Sequence, residues 1–229
     1  MQKVKVVILC GGKGTRLAEE TKKVPKPLVK IGHLPILEHI INHYRKYQIE
    51  DFILAAGYKH GQISHHFKND KKVKVVNTGL NTLTGGRIKR LEKIFHKENL
   101  FMVTYGDGLS DINIKQLLRF HMDHKKIATL AAVRPPARFG RVIIKGSKVI
   151  SFKEKKQANE GWINGGFFVF NKEIFSFLKN DQTILEQYPL EKLTAQNQLM
   201  AFKHENFWQC MDTIRDRDYL RELYSKKQK

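Results

Sequence analysis

The chain of 229 residues has only two cysteines and no excess of glycine or proline, and each shortage excludes a class of protein. The cysteines, Cys10 and Cys210, provide neither a disulfide framework nor the spacing of a zinc site. With 16 glycines and 6 prolines, the sequence is neither collagen-like nor of low complexity. We expect a soluble protein with reduced thiols.

Long hydrophobic runs are also missing. Runs such as residues 6–10 are far shorter than the roughly 20 apolar residues of a membrane-spanning helix. Residues 1–5 show no apolar signal-peptide region and no small-residue cleavage site. Apolar residues make up 41% of the chain, which is enough for a sizeable core. These features predict a cytoplasmic protein without a membrane partner, folded as a single domain over residues 1–229.

Acidic residues are scarce relative to basic ones. Lysine and arginine number 42 against 22 aspartates and glutamates, which gives a formal net charge of +20. Such an excess favours a polyanionic partner, although it can also reflect genome composition. The lysines are spread along the chain, with no arginine-rich tail, RNP-type strand or zinc-finger spacing. We therefore expect no nucleic-acid partner, and RNA binding is kept as an alternative.

The order of apolar segments predicts an α/β fold. Strand-like runs alternate with helical periodicity through the first 133 residues, which is typical of a mostly parallel sheet with helices on both faces. The second half predicts a hairpin around Gly146 and Ser147, and therefore a small antiparallel addition. The predicted strands are 4–10, 52–57, 72–77, 100–105, 127–133, 141–145, 148–153 and 166–170, and the predicted helices are 35–48, 87–96, 113–124 and 213–224.

The most informative local pattern is a glycine-rich loop at the end of the first strand. Residues 9–17 combine three glycines with Lys13 and Arg16. Glycines let backbone N–H groups approach phosphate oxygens, and open α/β sheets bind ligands at the carboxyl ends of their strands. The spacing is not that of a Walker A loop, and Leu17 replaces the third glycine of the Rossmann fingerprint. The loop predicts a phosphate cradle, with an ordinary glycine-rich turn as the alternative.

A lysine between two prolines follows this loop. Pro25 and Pro27 both have a fixed φ, so the backbone around Lys26 is stiff. A solvated lysine does not need that rigidity, so Lys26 is a candidate for a second cation that faces phosphate. An incidental lysine in a proline-rich loop is the alternative.

Two aspartates are candidate magnesium ligands. Asp107 follows an apolar strand, and Asp212 precedes a helical pattern. Mg²⁺ prefers one or two carboxylates together with phosphate and water oxygens. The alternatives are a turn residue for Asp107 and a helix N-cap for Asp212.

The ten histidines give no comparable signal. His39 and His43 are four positions apart, and His121 and His124 are three apart, but neither pair has the metalloprotease pattern or suggests a third ligand. We expect solvated or packed helix histidines.

Together, these motifs resemble those of the sugar-1-phosphate nucleotidylyltransferases. Residues 9–17 and 25–27 look like the family signature, and the likeness covers nearly the whole chain. It implies a Rossmann-like nucleotidyltransferase fold. It also implies an enzyme that makes a CDP-sugar and pyrophosphate from CTP and a sugar 1-phosphate, with glucose 1-phosphate as the first expected substrate. Alternatives are another base or sugar phosphate, or a non-catalytic nucleotide- or RNA-binding protein. Motifs similar to the family's cytidylyl branch are residues 84–90, 105–111, 138–140, 162–168 and 207–216.

The resemblance also implies site residues and a cofactor. Arg16, Lys26 and Asp107 would be catalytic, and Asp107 and Asp212 would hold Mg²⁺. The nucleotide would contact Leu9, Gly11, Gly12, Lys13, Gly14, Thr15, Arg16, Lys26, Thr84, Gly85, Gly86, Arg87 and Asp107. The sugar phosphate would contact Gly140, Glu154, Lys155, Asn164 and Gly165. We also expect a homo-oligomer.

The chain departs from the family pattern at two places. Lys156 stands where the family has a proline after the Glu-Lys pair. Only residues 68–72 separate Phe67 from Val73, where the glucose enzymes have a longer segment.

Overall fold

The computed structural model describes residues 4–135, 140–153 and 161–226. Its strands are β1 (Lys5–Cys10), β2 (Lys30–Ile31), β3 (Leu34–Pro35), β4 (Asp51–Ala56), β5 (Val73–Asn77), β6 (Leu100–Tyr105), β7 (Gly108–Ser110), β8 (Ala128–Val133), β9 (Arg141–Lys145), β10 (Lys148–Lys153), β11 (Ile163–Asn171), β12 (Leu199–His204) and β13 (Trp208–Cys210). Its helices are α1 (Ala18–Thr21), α2 (Ile36–Arg45), α3 (His60–His66), α4 (Thr84–Lys89), α5 (Ile114–His124), α6 (Tyr188–Ala195) and α7 (Ile214–Lys226).

Seven strands form one mixed sheet in the order β12–β8–β11–β6–β1–β4–β5. Neighbouring strands pair in parallel, except that β11 runs antiparallel to both β6 and β8. Central strands such as β1 are continuous apolar runs because a parallel sheet is buried on both faces. The predicted α/β class, with a mostly parallel mixed sheet and a Rossmann-like arrangement, is confirmed.

Alternate side chains of β1 contribute to two hydrophobic cores. Val6, Ile8 and Cys10 pack in the core that contains α2, α3, α5 and α7, whereas Val7 packs in the core with α4 and α6. Successive residues of a strand point to opposite faces, so helices cover both faces, as predicted. None of the helices in the described ranges is long and apolar enough to cross a membrane.

Two antiparallel pairs lie outside the main sheet and bear on the site. The predicted hairpin is confirmed as β9 paired with β10. The pair β7–β13 was not predicted, and it places Cys210 opposite Gly108. The backbone N–H of Met211 also donates to the carbonyl oxygen of Asp107 at 2.8 Å. This pairing brings the segment that carries Asp212 beside Asp107, although the two residues are 105 positions apart in sequence.

The prediction of one continuous helix at 87–96 is wrong. The structure has α4 from Thr84 to Lys89, followed by a separate 3₁₀ turn over Glu92–Phe95. α4 starts earlier than predicted because its two glycines allow close packing against the chain near residue 181, which periodicity does not reveal. The helix α3 was not predicted because Ile63 is its one buried residue, so it shows no apolar period.

Candidate active site

The predicted nucleotide residues gather around a cavity of about 570 Å³ at the carboxyl ends of β1 and β6. These strands are parallel neighbours, with Leu9 opposite Tyr105, so the loops that follow them meet at one edge of the sheet. The glycine loop lines one part of the cavity, the start of α4 another, and Asp107 and Asp212 a third. This is the position at which open α/β sheets bind ligands.

The glycine loop turns sharply and then forms a short helical segment. Gly14 has a φ of 64°, a left-handed conformation that glycine adopts without steric cost. Its carbonyl oxygen accepts hydrogen bonds from the Leu17 N–H at 3.0 Å and from the Thr21 hydroxyl at 3.1 Å. The predicted residues of this loop that line the cavity are Leu9, Gly11, Gly12, Gly14, Thr15 and Arg16. The exposed Lys13 is not among the described residues that line it.

Four charged side chains form a connected cluster in the cavity wall. Lys26 Nζ donates to Asp107 Oδ2 at 2.6 Å and to Asp212 Oδ1 at 2.8 Å. Arg16 donates to Asp212 Oδ2 at 2.8 Å and is 73% exposed, whereas the Lys26 side chain is 14% exposed. The prolines around Lys26 place it in a 3₁₀ turn that begins at this residue. The cluster therefore joins all three predicted catalytic residues to the second predicted metal ligand.

The charge of Lys26 depends on the two aspartates. Burial opposes the ammonium and by itself lowers its pKa, but Asp107 and Asp212 outweigh burial and leave the pKa of Lys26 raised. Two carboxylate oxygens thus face one cation within hydrogen-bond distance. That donor set suits Mg²⁺, which uses one or two protein carboxylates when a substrate supplies phosphate oxygens. The described residues contain no cluster of three or more histidine, cysteine, aspartate or glutamate side chains that would hold a metal without substrate.

The segments that carry Arg16 and Asp212 are tied together a second time behind the cavity. Glu20, on α1, accepts hydrogen bonds from Arg217 at 2.7 Å and from Arg221 at 3.2 Å, both on α7. Because α1 follows the glycine loop and α7 follows Asp212, these ion pairs fix the two segments relative to each other.

Arg87 is buried beneath the glycine loop. Its guanidinium donates to the carbonyl oxygens of Gly11 at 3.1 Å and Gly79 at 2.7 Å, and to the Thr78 hydroxyl at 2.7 Å. Burial lowers the pKa of Arg87. A guanidinium has five fixed donors, so Arg87 joins the ends of β1 and β5 while it lines the cavity. The resemblance implied a nucleotide contact here, and the structure adds this bracing role.

The remaining predicted nucleotide residues are Thr84, which lines the cavity, and Gly85 and Gly86, which are outside its described lining. Gly85 and Gly86 are buried instead against residues 181–185, and a Cβ on Gly86 would lie 2.4 Å from the Asp181 carbonyl oxygen. These two glycines therefore let α4 pack closely, and the described cavity lining does not include them.

Of the predicted sugar-phosphate residues, the structure describes Gly140, Asn164 and Gly165, and none of these three is in the described cavity lining. Asn164 Nδ2 donates to the Tyr105 hydroxyl at 3.2 Å, and Tyr105 does line the cavity. The Gly165 carbonyl accepts from Trp208 Nε1 at 2.7 Å. Gly140 is half-buried just before β9. Glu154 and Lys155 lie outside the described residues.

Several residues that line the cavity were not singled out from the sequence: Cys10, Thr82, Leu83, Tyr105, Gly106 and Glu186. Tyr105 and Gly106 precede Asp107 at the same strand end, which was a usable signal. Glu186 lies just before α6, a helix that the sequence did not predict, and no local motif marks it. Burial raises the pKa of the Cys10 thiol to about 12, so it is a poor nucleophile at neutral pH.

The histidine pairs lie outside this cavity, as expected for packed residues. His39 and His43 are hydrogen-bonded to the backbone carbonyls of Ile31 and Ile112 at 2.8 and 2.9 Å. His121 is buried and hydrogen-bonded to Thr129 at 2.9 Å. These contacts are the ordinary contacts of helix histidines and involve no metal cluster within the described residues.

Comparisons with known proteins agree with this geometry. A family model described as nucleotidyl transferase matches residues 5–216. Glucose-1-phosphate cytidylyltransferase of Salmonella typhimurium is 44% identical over 248 residues, covering 97% of this chain and 96% of the relative. D-glycero-alpha-D-manno-heptose 1-phosphate guanylyltransferase of Aneurinibacillus thermoaerophilus is 34% identical and covers 87% and 89% of the two chains. The structure of HddC from Yersinia pseudotuberculosis complexed with GMP-PN superposes with a TM-score of 0.77 at 26% identity, covering 96% of this chain and 99% of that one.

The family model covers nearly all of the chain, and ten of the thirteen nucleotide residues that the resemblance named line the cavity just described. The expected kinship with sugar-1-phosphate nucleotidylyltransferases is confirmed, and this chain belongs to the nucleotidyl transferase family.

Proposed function

We propose that this nucleotidyltransferase transfers a cytidylyl group from CTP to glucose 1-phosphate and releases pyrophosphate. The observation that carries the proposal is the 44% identity to a glucose-1-phosphate cytidylyltransferase over nearly the full length of both chains. The cavity supports it, because glycine-loop backbone, two cations and two carboxylates meet at the carboxyl end of the sheet. A net charge of +20 also suits two anionic substrates.

In this reaction a phosphate oxygen of the sugar 1-phosphate attacks the α-phosphorus of CTP, and pyrophosphate leaves. Such transfers need positioning and charge stabilisation more than covalent help from the protein. We assign the triphosphate to the glycine loop, with Arg16 and Lys26 as the cations that stabilise charge on the transferring phosphate. Arg87 keeps the loop in place from beneath.

We assign Asp107 and Asp212 as ligands of a divalent cation, Mg²⁺ in the cell. When bound, that ion neutralises phosphate charge and polarises the reacting phosphorus centre. The paired carboxylates support this assignment, because both already accept hydrogen bonds from one ammonium group. Arg16 and Lys26 are positioned to exchange these carboxylates for phosphate oxygens when substrate arrives.

We assign the sugar phosphate to Gly140, Glu154, Lys155, Asn164 and Gly165, as the family resemblance implies. Asn164 supports this placement through its hydrogen bond to Tyr105 at the cavity wall. We further propose a single nucleotidyltransferase domain over residues 1–229, located in the cytoplasm.

We also propose a homo-oligomer. The hairpin β9–β10 exposes apolar side chains, with Ile144 61% and Phe152 64% accessible, and such surfaces are often covered by a partner. Light scattering after size-exclusion chromatography measures the mass in solution. A mass of one chain at all concentrations contradicts the proposal.

A second candidate is a guanylyltransferase acting on another sugar phosphate. The relative from Aneurinibacillus thermoaerophilus and the complex with GMP-PN favour it, because both match most of this chain. The test is a panel of CTP, GTP, UTP and dTTP against several sugar 1-phosphates, with pyrophosphate release and product mass as readouts. We expect the highest kcat/KM for CTP with glucose 1-phosphate. A higher value for GTP favours the second candidate, and no pyrophosphate with any pair contradicts both.

A further inference from the structure

Glu186 is one of three acidic side chains in the cavity wall, and unlike Asp107 and Asp212 it is not part of the cluster around Lys26. It is half-buried just before α6 and lines the cavity with Thr84 and Tyr105. The Thr84 hydroxyl donates to Glu186 Oε2 at 2.7 Å, and the Tyr105 hydroxyl donates to Oε1. Within the described parts of the chain, no lysine, arginine or histidine forms an ion pair with it.

This carboxylate is held in place without being neutralised. Each oxygen accepts one hydrogen bond from a hydroxyl, and a carboxylate oxygen has room for a second. Thr84 is itself fixed, because its hydroxyl also accepts a hydrogen bond from the Leu185 N–H at 2.9 Å. A half-buried carboxylate without a cation is costly unless donors satisfy it, so the remaining acceptor sites favour a ligand that brings donors.

The charge of Glu186 decides which part of a substrate suits it. Phosphate groups carry negative charge, and repulsion keeps them away from a carboxylate. The phosphates instead suit the part of the cavity wall that Arg16 and Lys26 form. The group next to Glu186 is therefore uncharged and rich in hydrogen-bond donors, which describes a sugar hydroxyl or an exocyclic base amine.

The hydrogen-bond connections favour the sugar. Tyr105 links Glu186 to Asn164, which donates to the Tyr105 hydroxyl at 3.2 Å. Asn164 is in turn fixed, since its Oδ1 accepts from the Gly166 N–H at 2.8 Å. Thr84, on the nucleotide side, uses its hydroxyl for internal contacts to Leu185 and Glu186. The network is therefore continuous with the residues assigned to the sugar phosphate.

We infer that Glu186 accepts a hydrogen bond from a hydroxyl group of the sugar 1-phosphate and selects the sugar by that contact. The inference rests on the proposed function, since it assigns a specificity residue to the same cavity. Hydrogen bonds to charged groups are worth more than those between neutral groups, so the loss of this one should be measurable in kcat/KM.

The test compares Glu186→Gln with Glu191→Gln. Glu191 is exposed on α6 and lies outside the cavity lining, so its variant controls for a lost negative charge near the same helix. Kinetics are measured with glucose 1-phosphate and with analogues that each lack one hydroxyl, and CTP binding is measured by calorimetry. Thermal unfolding confirms that both variants are folded.

We expect Glu186→Gln to lower kcat/KM for glucose 1-phosphate on the order of tenfold or more, while the Kd for CTP changes less than about threefold. One deoxy analogue should be poor with the wild type, and Glu186→Gln should lose most of that discrimination. Glu191→Gln should match the wild type in every measurement. Glu186→Asp, which keeps the charge but shortens the side chain, should lose activity and keep part of the discrimination.

Two results overturn the inference. If Glu186→Gln weakens CTP binding tenfold and leaves the sugar kinetics unchanged, Glu186 faces the base. If every deoxy analogue is discriminated equally by wild type and variant, no hydroxyl contacts this carboxylate. Failure of the proposed function is distinct, because the wild-type protein would then release no pyrophosphate from CTP with glucose 1-phosphate.

Discussion

Lys26 illustrates how single residues define this site before any substrate binds. Its ammonium lies between two carboxylates, at 2.6 and 2.8 Å, and is mostly shielded from water. A pair of carboxylates this close together repel each other unless a cation lies between them. Lys26 therefore balances the aspartates in the free protein, and under the proposed function phosphate and metal would replace its contacts when substrate binds.

Replacing Lys26 with methionine should increase the affinity of the nucleotide-free protein for a divalent cation. The side chain keeps its length but loses its charge, which leaves Asp107 and Asp212 without their shared cation. We expect Mn²⁺ or Mg²⁺ to bind on the order of tenfold more tightly, because an opposing positive charge has been removed. Calorimetry, or electron paramagnetic resonance of Mn²⁺, measures the metal affinity directly and independently of turnover.

The control for this experiment is Lys13→Met. Lys13 also lies in the cationic loop region but is exposed and outside the cavity lining, so its variant should bind metal as the wild type does. Unchanged or weaker metal binding by Lys26→Met would show that Asp107 and Asp212 do not share a cation site.

Residue patterns gave the site wherever the chemistry is local in sequence. Glycines, prolines and a strand-end carboxylate marked the loop, Lys26 and Asp107, and the structure brings these together around one cavity. Glu186 was not found, because its partners Thr84 and Tyr105 are 102 and 81 positions away. A contact of that kind depends on the folded topology, which no local pattern encodes.

At the scale of elements, α4 shows how close packing positions part of the cavity wall. Gly86 lies against the backbone of Asp181, where a Cβ would meet the carbonyl oxygen at 2.4 Å. Thr84 and Arg87 are on the same helix, and both line the cavity. The distance between α4 and residues 181–185 therefore controls where two cavity residues lie.

Substituting Gly86 with alanine should destabilise the protein and impair nucleotide binding. The added methyl group overlaps with backbone that cannot move without shifting α4, and overpacking of this kind costs about 1–3 kcal/mol. The matched control is Gly61→Ala in α3, where no atom lies within 4 Å and the backbone is helical. That variant should be unchanged, or more stable by up to about 1 kcal/mol.

Urea unfolding gives both stabilities, and CTP calorimetry gives both affinities. We expect Gly86→Ala to lose stability and CTP affinity together, while Gly61→Ala retains both. Equal stability of the two variants would mean that α4 tolerates a larger separation from residues 181–185 than the structure indicates.

The elements that the sequence predicted well are those with a clear local apolar pattern, whether that pattern is buried, as in β6, or exposed, as in β10. The strands at 100–105 and 148–153 have the predicted bounds, and the helix predicted at 113–124 is α5. The antiparallel direction of β11 and the pair β7–β13 were missed, because strand order and direction depend on long-range pairing. The start of α4 at Thr84 was missed because glycines that weaken a helix pattern are here required for packing.

At the scale of the whole molecule, a chain of histidine contacts joins α5 to the sheet. His124 Nδ1 accepts from the Lys126 N–H at 2.9 Å, so its Nε2 carries the proton and donates to the Thr129 hydroxyl at 2.6 Å. Thr129 then donates to His121 Nδ1 at 2.9 Å, and His121 Nε2 donates to Asn171 Oδ1 at 3.0 Å. His124 Nδ1 accepts the hydrogen bond from the Lys126 N–H only while its ring is neutral, and the His121 ring accepts from the Thr129 hydroxyl only in its neutral form.

This arrangement predicts that the free energy of unfolding already falls at pH values well above those at which carboxylates titrate. Burial lowers the pKa values of His39, His43, His121 and His124 below the ordinary value of 6.5. The unfolded chain therefore takes up protons near pH 6.5, where the folded rings stay neutral. Stability is full above that pH and falls as the pH drops, by up to about 1.4 kcal/mol per pH unit for each proton taken up on unfolding.

Urea unfolding between pH 7.5 and 5.5 measures this slope, and the unfolding free energy should fall steadily across the range. His121→Gln should be less stable at pH 7.5, because it disturbs a buried network, but its slope with pH should be shallower. The aspartate Asp70, whose pKa is lowered by Arg45 despite partial burial, affects stability only in more acidic solution. A free energy that stays constant or rises as the pH falls would mean that these rings are charged in the folded protein, and that the neutral hydrogen-bond chain between α5 and the sheet does not exist.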